Sequence, residues 1–152
     1  MRIEGERTFA APRETVFEAL TDPELLAGMV PGVERVEVES PERWTATVSS
    51  PLGKGPSLPL RFELHERRPP EHAGLRAKGG RMGAKIAFAT SFDLAEADEG
   101  TRMRWSAEIT LAGLLRALGG PGFEPVARRQ AEKSLDRLAQ RVESGSYSAT
   151  NA

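Results

Sequence analysis

Met1-Arg2-Ile3-Glu4-Gly5-Glu6-Arg7-Thr8-Phe9-Ala10-Ala11-Pro12 opens the chain, and Val16-Phe17, Leu20, Asp22-Pro23 and Pro31-Gly32 follow at short intervals. Residues 2–9 set Ile3, Gly5, Arg7 and Phe9 against Glu4, Glu6 and Thr8, the period of a half-buried strand. Pro12 suits the first turn of a helix, where a missing N–H costs nothing. Val16, Phe17 and Leu20 then fall on one helical face. Asp22 before Pro23 is an N-cap and first-turn pair that starts a second short helix through Leu25 and Leu26, and Pro31-Gly32 stops it.

Beyond this opening the pattern is that of strands. Val33, Val36 and Val38 form one, and Trp44, Ala46 and Val48 the next. Leu58, Leu60, Phe62 and Leu64 alternate with polar residues up to Pro69-Pro70, and Leu75, Ala77 and Gly79 give a weak strand after it. Phe88, Thr90, Phe92 and Leu94 alternate, as do Met103, Trp105, Ala107, Ile109 and Leu111, with Asp98-Glu99-Gly100-Thr101 as the hairpin turn between them. Consecutive strands on short turns argue for an antiparallel sheet with one apolar face. The covering element is a helix over roughly 123–143, whose stripe is Phe123, Ala127, Ala131, Leu135, Leu138 and Val142.

Composition narrows the function classes. A chain of 152 residues with 39% apolar and 28% charged residues reads as one soluble domain. A net charge of −1 gives no electrostatic ground for nucleic-acid binding. The absence of cysteine excludes disulfides and thiolate chemistry and fits a reducing cytoplasm. No apolar run approaches the roughly 20 residues that span a bilayer. The expected location is cytoplasmic, with any contact at the inner membrane surface peripheral and reversible.

Strand, two short helices, six further strands and a long C-terminal helix is an α+β helix-grip arrangement: a curved seven-stranded antiparallel sheet wrapped around the last helix. The expected domain is 1–143, with 144–152 a disordered tail. At this level the chain resembles the START-like (SRPBCC) superfamily and, within it, the G-subunit family of carbon monoxide dehydrogenase. The resemblance rests on Gly5-x3-Phe9-x-Ala11-Pro12-x3-Val16-Phe17-x2-Leu20-x-Asp22-Pro23, on Trp44-x-Ala46-x-Val48 and on Gly100-Thr101-x-Met103-x-Trp105. It continues through Gly113-Leu114-Leu115-x-Ala117-Leu118-Gly119. Leu60 departs from it, standing where a glycine is expected and narrowing the space beneath the sheet. The resemblance implies an apolar cavity and an accessory role for a molybdenum hydroxylase of the carbon monoxide dehydrogenase type, through membrane recruitment or quinone delivery.

The helix stripe supports a cavity independently. Its first half is small (Ala127, Ala131) and its second half large, whereas a helix lying flat on a sheet is normally filled throughout. The expected lining is Phe17, Met29, Trp44, Phe62, Phe92, Trp105, Ile109, Phe123, Ala127 and Ala131. Such a wall suits a lipid- or quinone-like ligand, since each buried CH₂ contributes about 0.8 kcal/mol. Arg7, on the inward register, is a candidate donor to a polar head; alternatively its stem packs inside while the guanidinium reaches water. Leu114 and Leu118, in the apolar segment 111–120, form a candidate lid, and Phe17, Met29 and Pro31-Gly32 a candidate wall of the mouth. Arg129, Lys133, Arg137 and Arg141 form a basic stripe balanced locally by Glu132 and Asp136.

Catalytic signals are weak. His65 falls on a polar strand face and His72 in a turn, without metal-ligand spacing, and Lys78-Gly79-Gly80-Arg81 lacks the context of a phosphate loop. No catalytic residue, metal or cofactor is expected. Two other readings compete with binding: a cyclase- or hydratase-like enzyme with an acid–base pair inside the cavity, and a docking protein with a filled core.

Overall fold

The computed structural model describes residues 1–29, 32–49, 57–81, 83–113 and 123–144. Strand β1 (Arg2–Phe9) leads into α1 (Arg13–Leu20) and α2 (Pro23–Met29). Six strands follow: β2 (Val33–Ser40), β3 (Arg43–Val48), β4 (Leu58–Arg68), β5 (His72–Arg81), β6 (Ala84–Ala97) and β7 (Gly100–Gly113). Helix α3 (Phe123–Glu143) closes the fold. All strands join one antiparallel sheet in the order β1-β7-β6-β5-β4-β3-β2, the curved sheet of the expected helix-grip fold.

The opening motif works as read, with one shift. Pro12 is the N-cap of α1 rather than a residue of its first turn. Asp22 caps α2 through its side chain, Oδ1 accepting from the backbone N–H of Glu24 at 3.0 Å and of Leu25 at 3.4 Å. Strand β5 is longer than the weak 75–79 signal because Gly74, Gly79 and Gly80 dilute the alternation while β4 and β6 pair with it on both sides. His72 therefore begins a strand and is not in a turn. Leu111 to Gly113 likewise belong to β7, paired with β6 through Ile86↔Leu111 and Ala84↔Gly113, not to a loop. Residues 114–122 and 145–152, which hold most of the expected lid and tail, lie outside the described residues.

Two sequence motifs far apart in the chain meet at the start of α1. Thr101, fully buried, donates its hydroxyl to the Ala11 carbonyl at 2.7 Å. Gly100, at φ +141°, lies where a Cβ would sit 2.3 Å from the Phe9 carbonyl oxygen. The glycine is required by both its backbone conformation and this close approach. The Phe9-x-Ala11-Pro12 and Gly100-Thr101 signatures are thus two halves of one joint.

Helix α3 is seated by its C-terminal half. Leu135, Leu138, Ala139 and Val142 are buried, each large one contributing about 1.5–3 kcal/mol. Polar ties bind the helix to β1 and the residue after it. Glu143 Oε2 accepts from the Ala10 N–H at 2.8 Å, Asp136 Oδ1 takes Arg7 Nη1 at 2.5 Å, and Arg128 Nη1 donates to the Glu4 carbonyl at 3.3 Å. Being partly exposed, the Arg7–Asp136 pair adds at most about 1 kcal/mol, so it orients more than it stabilises.

On the polar face, His72 bridges three strands, its Nδ1 lying 2.8 Å from Asp93 and its Nε2 3.1 Å from Glu66. Burial alone lowers its pKa, but the hydrogen bonds to Asp93 and Glu66 outweigh it and hold the imidazole above the ordinary histidine value. The same contact to His72 holds the Glu66 carboxyl below its ordinary range.

Both the tight sheet contact and the His72 bridge can be tested by substitution. Gly5 faces Trp105 across β1 and β7, and a Cβ there would lie 2.9 Å from the indole. Gly5→Ala is expected to cost about 1–3 kcal/mol by overpacking, read as a lowered denaturation midpoint; an unchanged midpoint contradicts the contact. For His72, the raised folded pKa means that the bridge stabilises fully below the unfolded value and fades as pH rises through the folded one. The melting-temperature gap between the native chain and His72→Gln should be wider at pH 5.5 than at pH 8.5; a gap that widens with pH would show the sign to be wrong.

Candidate functional site

Cross-strand register assembles the site. On the inner face one row runs Trp44, Phe62, Ala77, Phe88, Ile109 across β3 to β7. Trp44 stacks on Phe62 with ring centroids 5.6 Å apart, and Phe88 meets Phe62 edge-on at 6.1 Å. A second row runs Leu64, Leu75, Thr90, Ala107, Ile3, and a third places Phe92 beside Trp105, which lies against Gly5. These rows form one wall of a cavity of about 500 Å³.

Helix α3 forms the opposite wall. Ala127, Gln130, Ala131, Ser134 and Leu135 face the cavity, and Val126 stands at 41% exposure on its open side. The residues that would fill the gap if they were large are alanines. Leu60 projects into the same space, as its position predicted, yet leaves it open.

Seven of the expected lining residues meet here: Trp44, Phe62, Phe92, Trp105, Ile109, Ala127 and Ala131. Two do not. Arg7 lies on the inward register, but Asp136 draws its guanidinium to the helix flank, 5.9 Å from the Phe9 ring centroid and away from the void. Phe17 is only 2% exposed and packs within the core at α1, with the Arg67 guanidinium 5.5 Å from its ring centroid. The α2 side of the cavity is instead supplied by Leu26 and Gly32. Met29 ends α2 and Phe123 begins α3, while Leu114, Leu118 and Pro31 lie outside the described residues.

Sequence reasoning missed Phe88, Gln130 and Ser134 as lining residues. Phe88 belongs to the plain alternation of β6 and could have been included on that ground. Gln130 and Ser134 sit three residues after Ala127 and Ala131, on the same helical face, and a stripe counted mainly in steps of four passes over them.

Every described residue lining the cavity is apolar or uncharged. Many charged side chains gather on the other face. There, a groove of about 740 Å³ carries Arg43, Arg61, Glu63, Arg76 and Lys78, with Glu63 taking Arg76 at 2.5 Å and Arg43 at 3.8 Å. His72 with its two carboxylates also faces that side, and among the described residues no group of three or more His, Cys, Asp or Glu side chains is arranged to hold a metal ion. No described helix is long and apolar enough to cross a membrane.

Solved structures with this architecture are numerous. A conserved protein from Geobacillus kaustophilus is 18% identical and superimposes with a TM-score of 0.82, over 93% of this chain and 95% of its own. A protein from Chromobacterium violaceum is 21% identical, with a TM-score of 0.69 over 93% and 96% of the two chains. One from Thermus thermophilus is 19% identical, with a TM-score of 0.69 over 97% and 100%. At these identities the likeness establishes the fold alone. No curated protein matches the sequence. The family described as polyketide cyclase / dehydrase and lipid transport matches residues 1–143, the whole of the domain built above, and to that family this chain belongs.

Proposed function

We propose that this protein binds one apolar, lipid- or quinone-like molecule between sheet and α3 and delivers it without altering its bonds. The observation that carries this reading is the cavity itself: about 500 Å³, walled by aromatic and aliphatic side chains, with no ionisable group among its described lining residues. Cavities of this size hold small ligands. One isoprenoid unit buried there would contribute about 4 kcal/mol before ordering costs. A space this large argues against a docking protein with a filled core. A cyclase- or hydratase-like enzyme, which the family description includes, needs an acid and a base facing the reacting carbon. The described walls offer neither.

A narrower likeness points to the client enzyme. The opening motif and Gly100-Thr101-x-Met103-x-Trp105 resemble the pattern of the carbon monoxide dehydrogenase G-subunit family. On that resemblance the chain serves a molybdenum hydroxylase, handling its quinone acceptor or bringing it to the inner face of the membrane from the cytoplasm. The charge-balanced polar face fits transient contact with such a partner better than fixed anchoring.

Native mass spectrometry of the protein from its own host, followed by solvent extraction, is expected to recover a lipid or quinone at one molecule per chain; a clean apo mass contradicts the carrier reading. The variant Ala127→Phe/Ala131→Phe should fill the void, lower the recovered ligand at least tenfold, and leave the melting temperature equal or higher, because rings added to empty space gain contacts.

A further inference from the structure

Of the four polar side chains that line the cavity among the described residues, Ser49 is exposed, and Thr90 and Ser134 are already engaged. Thr90 donates to the Ser106 carbonyl at 2.7 Å, and Ser134 to the Gln130 carbonyl at 3.0 Å. The carboxamide of Gln130 is different. It belongs to the cavity face of α3 and is half-buried, yet it makes no hydrogen bond with any described residue. A carboxamide offers two donors and a doubly accepting oxygen, a capacity that a ligand at the cavity wall can take up. Its placement along α3 is informative. Val126, one turn before it, is exposed, whereas Leu135, just over one turn after it, is buried. Gln130 therefore stands between the open side of the cavity and its closed end.

The cavity chemistry also limits what Gln130 can receive. A carboxylate or phosphate brought here would lose its hydration with no described cation in the lining to replace it, a cost that a single amide does not cover. An alcohol or ketone oxygen needs one or two hydrogen bonds, which a carboxamide supplies. Resting on the carrier reading above, we infer that Gln130 is the polar anchor of the cavity and that its ligand class is a neutral lipid with an apolar body and a hydroxyl or ketone oxygen, with lipid anions excluded.

Both tryptophans of the chain, Trp44 and Trp105, line the cavity, so intrinsic fluorescence reports occupancy directly. The probes are 1-dodecanol, 2-dodecanone, dodecanoate at pH 8 and the hydrocarbon diphenylhexatriene, titrated into the full chain and into Gln130→Met. Methionine keeps side-chain length and helix propensity but removes the amide. The native chain is expected to bind the alcohol and the ketone at least tenfold more tightly than dodecanoate. Gln130→Met should lose about tenfold for both neutral probes while binding diphenylhexatriene undiminished, which also shows that the variant is folded. If diphenylhexatriene binds but dodecanoate is preferred, or if Gln130→Met retains full affinity for the alcohol and ketone, the anchor is refuted and the carrier reading survives. If none of the four probes binds the native chain, both readings fall together.

Discussion

The whole architecture turns on how α3 is held. Its C-terminal half is fastened by Leu135, Leu138 and Val142 and by the reach of Glu143 to the Ala10 N–H, so position and tilt are fixed at one end. Its N-terminal half is then free to carry alanines, because it is not needed to secure the helix. A helix fixed along its full length would have required large side chains at 127 and 131 and would have left no cavity. The same element thus serves as anchor and roof, with the division falling between Ala131 and Leu135. This division makes the interior both stable and empty.

The sheet provides the complementary constraint. Rows of inward residues become walls only because register aligns them: Trp44 with Phe62, Phe88 with Ile109, Phe92 with Trp105. Gly5 opposite Trp105 gives the indole room to lie against β1. The period-2 alternation sends most ionisable groups of the strands to the other side, and the inward Arg7 is drawn aside by Asp136, so the apolar interior and the charged exterior largely follow from one pattern. The His72 bridge and the Glu63 pairs belong to that outer face.

Much of this was legible beforehand, for specific reasons. Pro12 and Asp22 each answer a local backbone demand, so the starts of two short helices can be placed without knowing anything about the remainder. The alternations around Phe62 and Trp105 are long enough to fix both strand and face. The small-to-large gradient of α3 was visible as a series of side-chain sizes. What escaped notice depends on distant partners. Arg7 reads as inward until Asp136, 129 residues later, claims it. Phe17 has the right polarity for a cavity wall, but α1 buries it elsewhere in the core. The strength of β5 comes from its neighbours and not from its own glycine-rich sequence, and Gln130 was hidden because alanines drew the eye to a narrower stripe.

The strand order has a consequence for how the molecule comes into being. β1 pairs only with β7, so the first strand synthesised waits for the last, and the Thr101–Ala11 hydrogen bond closes a span of 90 residues. Contacts of such long sequence separation are formed late and slowly. Until they form, β7 presents an open edge and the apolar rows have no roof, since α3 follows β7 in the chain. A nascent or partly unfolded copy therefore displays the apolar rows that later wall the cavity, and it does so beside an unpaired strand that invites self-association.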